Sequence, residues 1–163
     1  MYWTVCGRHA EAAAVRERQE ASEDAVMTRI GQAVMLLHGG DREEARNRFG
    51  ELWAELAEAG DAFHRCALAH YMADTQDDPG DELAWDLRAL TAAGPPGTSS
   101  VVRAFYPSLH LNLAADYLKL QRPEAARLHL DRARDAADAL GDEGDVKGVR
   151  AGIDRLERLL RER

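Results

Sequence analysis

The chain has 163 residues, enough for one domain with a real core, and its 45% hydrophobic and 31% charged content is ordinary for a globular protein in water. A formal net charge of −8 opposes any polyanion surface, since phosphate binding is driven by Lys and Arg displacing counterions, so neither nucleic acid nor an anionic membrane is an expected partner. Cys6 and Cys66 do not make a secreted-type framework, residues 1–22 lack the pattern of a signal peptide, and no apolar run is long enough to cross a membrane, so a cytoplasmic location is expected.

Sustained period-2 alternation is missing, while Ala, Leu, Arg and Glu dominate every long segment, which predicts an all-α fold. The scarcity of lysine, only Lys119 and Lys147, beside abundant Ala and Arg points to a GC-rich bacterial genome. Trp3, Gly7 and Ala12 repeat the offsets of Leu36, Gly40 and Ala45, so residues 1–22 read as a last helical turn, a turn at Gly7 and a second helix. Ser22, with Glu23 and Asp24 behind it, then caps a helix striped by Met27, Ile30, Val34 and Leu37 that ends at Gly39-Gly40-Asp41. Asp41 and Glu44 form a capping-box pattern ahead of Ala45, Phe49, Leu52, Trp53 and Leu56. The next pair carries Phe63, Cys66, Leu68, Ala69 and Met72, a longer turn bending at Pro79 and Gly80, and then Ala84, Leu87 and Leu90. The paired prolines of the Gly94–Ser100 stretch make it a loop and the expected hinge. Leu113, Ala114, Tyr117 and Leu118 lead into a polar break at Gln121–Pro123, after which Ala126, Leu130 and Ala133 continue the helical spacing. Beyond Gly141–Gly144, one last helix has Val149, Ile153, Leu156 and Leu160 on a single face.

The small Ala114, the aromatic Tyr117, the small Ala126 and the bulky Leu130 together resemble the tetratricopeptide repeat. Ala33, Leu36, Gly40, Ala45 and Phe49 resemble it again, with Leu36 in place of the usual tyrosine, and Ala69 and Ala84 take its two small-residue positions once the longer turn is allowed for. The resemblance implies an α-solenoid of antiparallel helix pairs in a single domain, 1–163. Its parts would be a truncated repeat at 1–22, pairs at 23–59, 61–93 and 101–139, and a capping helix at 145–162. Because the small residues Ala33, Ala69 and Ala114 are unevenly spaced, a general helical bundle is the other architecture the segments allow.

In that family the first helix of each pair lines a concave face that grips peptides. Carried onto this chain, the groove would comprise Met27, Ile30, Val34, Leu37 and His38, then Phe63, Cys66, His70, Ala73 and Asp74, then Ser108, Leu111, Ala115, Leu118 and Lys119. Such a face is largely apolar and suits a hydrophobic peptide, an amphipathic helix or a second copy of the chain, although the same stripes can equally be core. The expected function is a non-catalytic protein- or peptide-binding scaffold, an adaptor or regulatory module with no cofactor, with a homodimer through the N-terminal helix left open. Cys66, His70 and Asp74 have zinc-ligand chemistry, but at i, i+4 and i+8 they span about 12 Å of helix, so one ion could take at most two of them. A helical metal-dependent enzyme or sensor centred on His70 is the alternative reading, and a purely structural homo-oligomer a third. Cys6 and His9 lack the second half of a zinc knuckle, His64 and His129 read as surface histidines, and Asp77, Asp78, Asp81 and Glu82 read as a solvated turn without the spacing of a calcium loop. There is no phosphate-binding Gly-rich loop, GxSxG elbow or HExxH motif.

Overall fold

Good helix formers interrupted only by short Gly, Asp and Pro turns fold into helices joined by tight connections. A computed structural model describes residues 3–56, 60–95, 97, 99–142 and 146–162, with the backbone alone described for 3–14, 23 and 24. The described residues form eight helices and no strand: α1 (Trp3–His38), α2 (Arg42–Leu56), α3 (Ala62–Asp74), α4 (Pro79–Ala93), α5 (Ser100–Arg103), α6 (Tyr106–Lys119), α7 (Pro123–Leu140) and α8 (Val146–Arg161). The fold is all-α. None of these helices is long and apolar enough to cross a membrane.

Proline marks the helix starts, where its missing N–H costs nothing: Pro79, Pro107 and Pro123 sit in the first turns of α4, α6 and α7. Asp78 caps α4 by accepting from the backbone N–H groups of Gly80 at 2.8 Å and Asp81 at 3.1 Å. Two of the interhelical turns share one geometry. Between α1 and α2, Asp41 N–H bonds to Leu36 C=O at 2.9 Å and Gly40 N–H to Leu37 C=O at 3.1 Å. Between α6 and α7, Arg122 N–H bonds to Tyr117 C=O at 2.8 Å and Gln121 N–H to Leu118 C=O at 3.1 Å. Both are Schellman closures, which need a left-handed residue, supplied by Gly40 at φ 92° and by Gln121 at φ 58°.

The N-terminal region departs from expectation. The turn at Gly7 and the new start at Ser22 are absent, and α1 runs unbroken for 36 residues. A single glycine in a helix costs only about 1 kcal/mol relative to Ala, and the neighbouring Ala-, Glu- and Arg-rich sequence outweighs it. Ser22 can cap a helix but cannot stop one. The side chains of Cys6, His9, Glu23 and Asp24, and hence the expected first-turn charges, lie outside the described residues. A second departure is α5, a single turn whose Val102 reaches the core inside the segment assigned to one helix from 101. Pro107 cannot bond back into that turn, so α6 starts afresh beyond it.

Helices pack on their neighbours in the chain: α1 on α2, α2 on α3, α3 on α4, α4 on α6, α6 on α7 and α7 on α8, with α1 also meeting α3 and α6 also meeting α8. The core is accordingly a series of clusters. Ile30, Ala33, Ala45, Phe49, Leu52, Leu68 and Met72 join α1 to α3. Cys66, Ala69, Ala89, Ala93, Val102, Tyr106 and Leu109 join α3 to α6. Ala114, Leu118, Ala126, Leu130, Ala133 and four residues of α8, Val149, Ile153, Leu156 and Leu160, close the far end. Trp53 and Trp85, edge to face at 5.2 Å, connect the first two clusters.

Phe49 is fully buried while Met35 is 75% exposed. Phe49→Ala is expected to cost about 3–5 kcal/mol of unfolding free energy in urea melts, the usual penalty for emptying an aromatic core position. Met35→Ala is expected to stay within about 0.5 kcal/mol.

Candidate functional site

The most unusual chemistry in the described structure lies where α3, α4 and α6 meet. Asp86 on α4 and Asp116 on α6 are 2% and 1% exposed, as deep as the apolar core around them. Asp86 is on the inward stripe of α4 with Ala89 and Ala93, and Asp116 is on that of α6 with Leu109 and Leu113. Counted from the residue preceding each helix, Asp86 stands where Phe49 stands in α2 and Leu130 in α7. A carboxyl replaces the bulky apolar residue that fills the other two pairs.

The two carboxyls lie close enough for the charge of one to act on the other. Burial first, and then the Asp86 charge, push the Asp116 carboxyl up to about 8, so Asp116 keeps its proton at neutral pH. Asp86 Oδ1 and Asp116 Oδ2 are nevertheless buried without a hydrogen-bond donor. Asp86 Oδ1 faces His70 Nδ1 at 3.7 Å, and the side-chain amide nitrogen of Asn112 lies 2.9 Å from the same ring nitrogen. Burial opposes the imidazolium, but the nearby Asp86 and Asp74 carboxylates outweigh it and raise the His70 pKa. On the solvent side the Lys119 ammonium donates to both Glu82 oxygens, at 2.6 and 2.7 Å, and stands 3.8 Å from Asp116. Asp74 is at the exposed edge, its pKa raised by burial of the carboxyl against the cluster and by Asp86 and Glu82, with His70 and Lys119 acting against that rise. Four carboxyls thus face one lysine and one histidine.

The structure disperses the residues expected to line the groove. Ile30 and Cys66 are core, and burial pushes the Cys66 thiol, which is free, up to about 11. Val34 and Leu37 pack on the α1–α3 cluster and Phe63 on the next. Leu111 and Ala115 pack on the last cluster, and Leu111 lies so close to α8 that a Cβ on Gly152 would stand 2.6 Å from its Cδ2. His38, Asp74 and Lys119 are the exposed members, and only His70, Asp74 and Lys119 are brought together at one site. Among the described residues, no three His, Cys, Asp or Glu side chains are placed to hold a metal ion.

Sequence reasoning missed Asp86, Asp116, Asn112 and Glu82 as site residues. The usable signal was an aspartate on the apolar stripe of each of two helices. It also placed His64 and His129 on the surface, whereas both are buried. His129 meets His110 at an Nδ1–Nδ1 distance of 3.0 Å and stacks on Tyr117, because the α6 and α7 stripes converge there. Burial, then His129 and Arg132, lower the His110 pKa to about 4. Next to this pair opens a cleft of 590 Å³ lined by Leu90, Tyr106, His110, Arg132 and Ala136, among others.

Comparison with known proteins finds no matching family model, no matching curated protein and no matching solved structure.

Two pH effects follow from this geometry. His110 has a folded pKa below its usual 6.5, so its stabilising contribution is present above 6.5 and is lost as the pH falls towards 4. In an NMR titration its ring is expected to remain neutral at pH 5.5, and titration near 6.5 would contradict the buried pair. Asp116 has a folded pKa above its usual 3.8, so its contribution is present below 3.8 and is lost as the pH rises through 8. Asp116→Asn mimics the protonated carboxyl at every pH. Its stability relative to the unmodified chain is expected to climb between pH 4 and 8, by at most about 1.4 kcal/mol per unit, and then level off in denaturant melts.

Proposed function

We propose that this chain is a tetratricopeptide-like helical scaffold that binds a protein or peptide partner without catalysis, across the face shared by α3 and α6. The observation that carries the reading is the polar cluster of His70, Asp74, Asn112, Asp116 and Lys119, placed by the first helices of two successive pairs around two buried acceptors that lack donors. Buried polar groups left unsatisfied are costly, and binding sites are where proteins keep such costs.

The repeat assignment rests on two further features. Ala33, Ala45 and Phe49 recur as Ala114, Ala126 and Leu130 at one constant offset, with matching burial and matching Schellman turns between them. Packing that passes from each helix to its chain neighbours is the pattern of a repeat array. The partner meets a polar surface more than an apolar one, since the expected groove residues left exposed are His38, Asp74 and Lys119.

Panning a random displayed-peptide library against the intact protein tests this reading. Enriched peptides are expected to perturb backbone NMR signals of α3 and α6 and to bind at least about tenfold more weakly to His70→Ala, a typical loss for a central contact. Failure to enrich any peptide, or perturbation confined to α2 and α7, overturns it.

A further inference from the structure

We propose that the Asp86–Asp116 pair seats the guanidinium of an arginine side chain presented by the partner, which displaces the Lys119 ammonium. This rests on the scaffold reading above and names the chemistry recognised at its site.

Three observations support an arginine. The acceptors come first: Asp86 Oδ1 and Asp116 Oδ2 are buried without donors, and a planar guanidinium brings several N–H groups in a fork suited to paired carboxyl oxygens. Next is charge. Asp74 and His70 face the pair from α3, Glu82 from the same helix as Asp86, and Lys119 from the same helix as Asp116, while the nearby Cys66 is a neutral thiol. Four carboxyls against one fixed cation leave room for a second cation once both aspartates ionise. Last, the chain itself already places a nitrogen cation at the mouth. Lys119 is bound to Glu82 and close to Asp116, yet its side chain is 48% exposed, so it can swing out while Glu82 and Asp74 receive the incoming charge. A metal ion is the poorer occupant, because among the described residues no three potential ligands converge on one point.

Before binding, Asp116 holds one proton; afterwards both carboxylates accept from the guanidinium, and that proton leaves to solvent. Because Asp116 holds its proton up to about pH 8, affinity should rise about tenfold per pH unit from 6 towards 8 and flatten above. Deprotonation of His70 acts in the same direction by removing a competing cation.

The test is calorimetry on the full chain with acetyl-Gly-Arg-Gly-amide as probe and its citrulline counterpart as the uncharged control. Titrations at pH 6, 7, 8 and 9, in buffers of different ionisation enthalpy, count the protons released. Expected are tightening by about tenfold per unit up to pH 8, release of close to one proton at pH 7, and no binding of the citrulline peptide. Asp116→Asn, with its fold checked by circular dichroism and thermal melting, should abolish both binding and proton release, whereas Lys119→Gln should tighten binding by removing the competitor. Absence of arginine binding at pH 9, equal binding of the citrulline peptide, or binding unchanged in Asp116→Asn overturns the proposal. Library peptides that perturb α3 and α6 without needing an arginine would leave the scaffold reading standing and remove this inference alone.

Discussion

Close approach of helix to helix through alanine is the constraint on which this structure depends. Ala33 and Ala45 in one cluster, and Ala114 and Ala126 in another, are buried to 1% exposure or less. With only a methyl group at each contact, the two helices of a pair come near enough for the bulky residue one turn further on, Phe49 or Leu130, to fill the remaining space. The Schellman turns follow from the same requirement, since a three-residue connection such as Gly39–Asp41 can join two helices only if they lie side by side.

The middle pair meets that constraint differently, and the site arises from the difference. Where α2 and α7 insert Phe49 and Leu130, α4 inserts Asp86, and α6 sets Asp116 against it. Filling core volume with carboxyls forces the surroundings to compensate. Asp116 retains a proton, the Asp74 and Asp86 carboxylates raise the His70 pKa, and Lys119 stands beside Asp116 on the solvent side. The network spans three helices, so anything that changes the charge of the pair acts on the packing of all three.

The buried His110–His129 pair is a second polar insertion, one interface further along. Its physical behaviour is opposite. The histidines stay neutral because burial and Arg132 disfavour their charge, so the interface between α6 and α7 is weakened by acid, while the carboxyl pair is weakened by base.

Periodicity and turn chemistry in the sequence determined most of the local structure: the all-α class, the turns at Gly39–Asp41 and Gln121–Pro123, the amphipathic closing helix with Val149, Ile153, Leu156 and Leu160 inward, and the burial of Ala33, Ala45, Phe49, Ala114, Ala126 and Leu130. These depend on neighbours three, four or five residues away, which a sequence displays directly. Tertiary structure alone decided which apolar stripe residues stayed open to solvent, and that Asp86, Asp116, His70, Asn112 and Lys119 meet. Those outcomes depend on how three helices distant in sequence are rotated against one another. An aspartate on an apolar stripe has the same sequence signature whether it faces water or a second carboxyl; only the packing of α3, α4 and α6 sets its neighbours, and with them its charge.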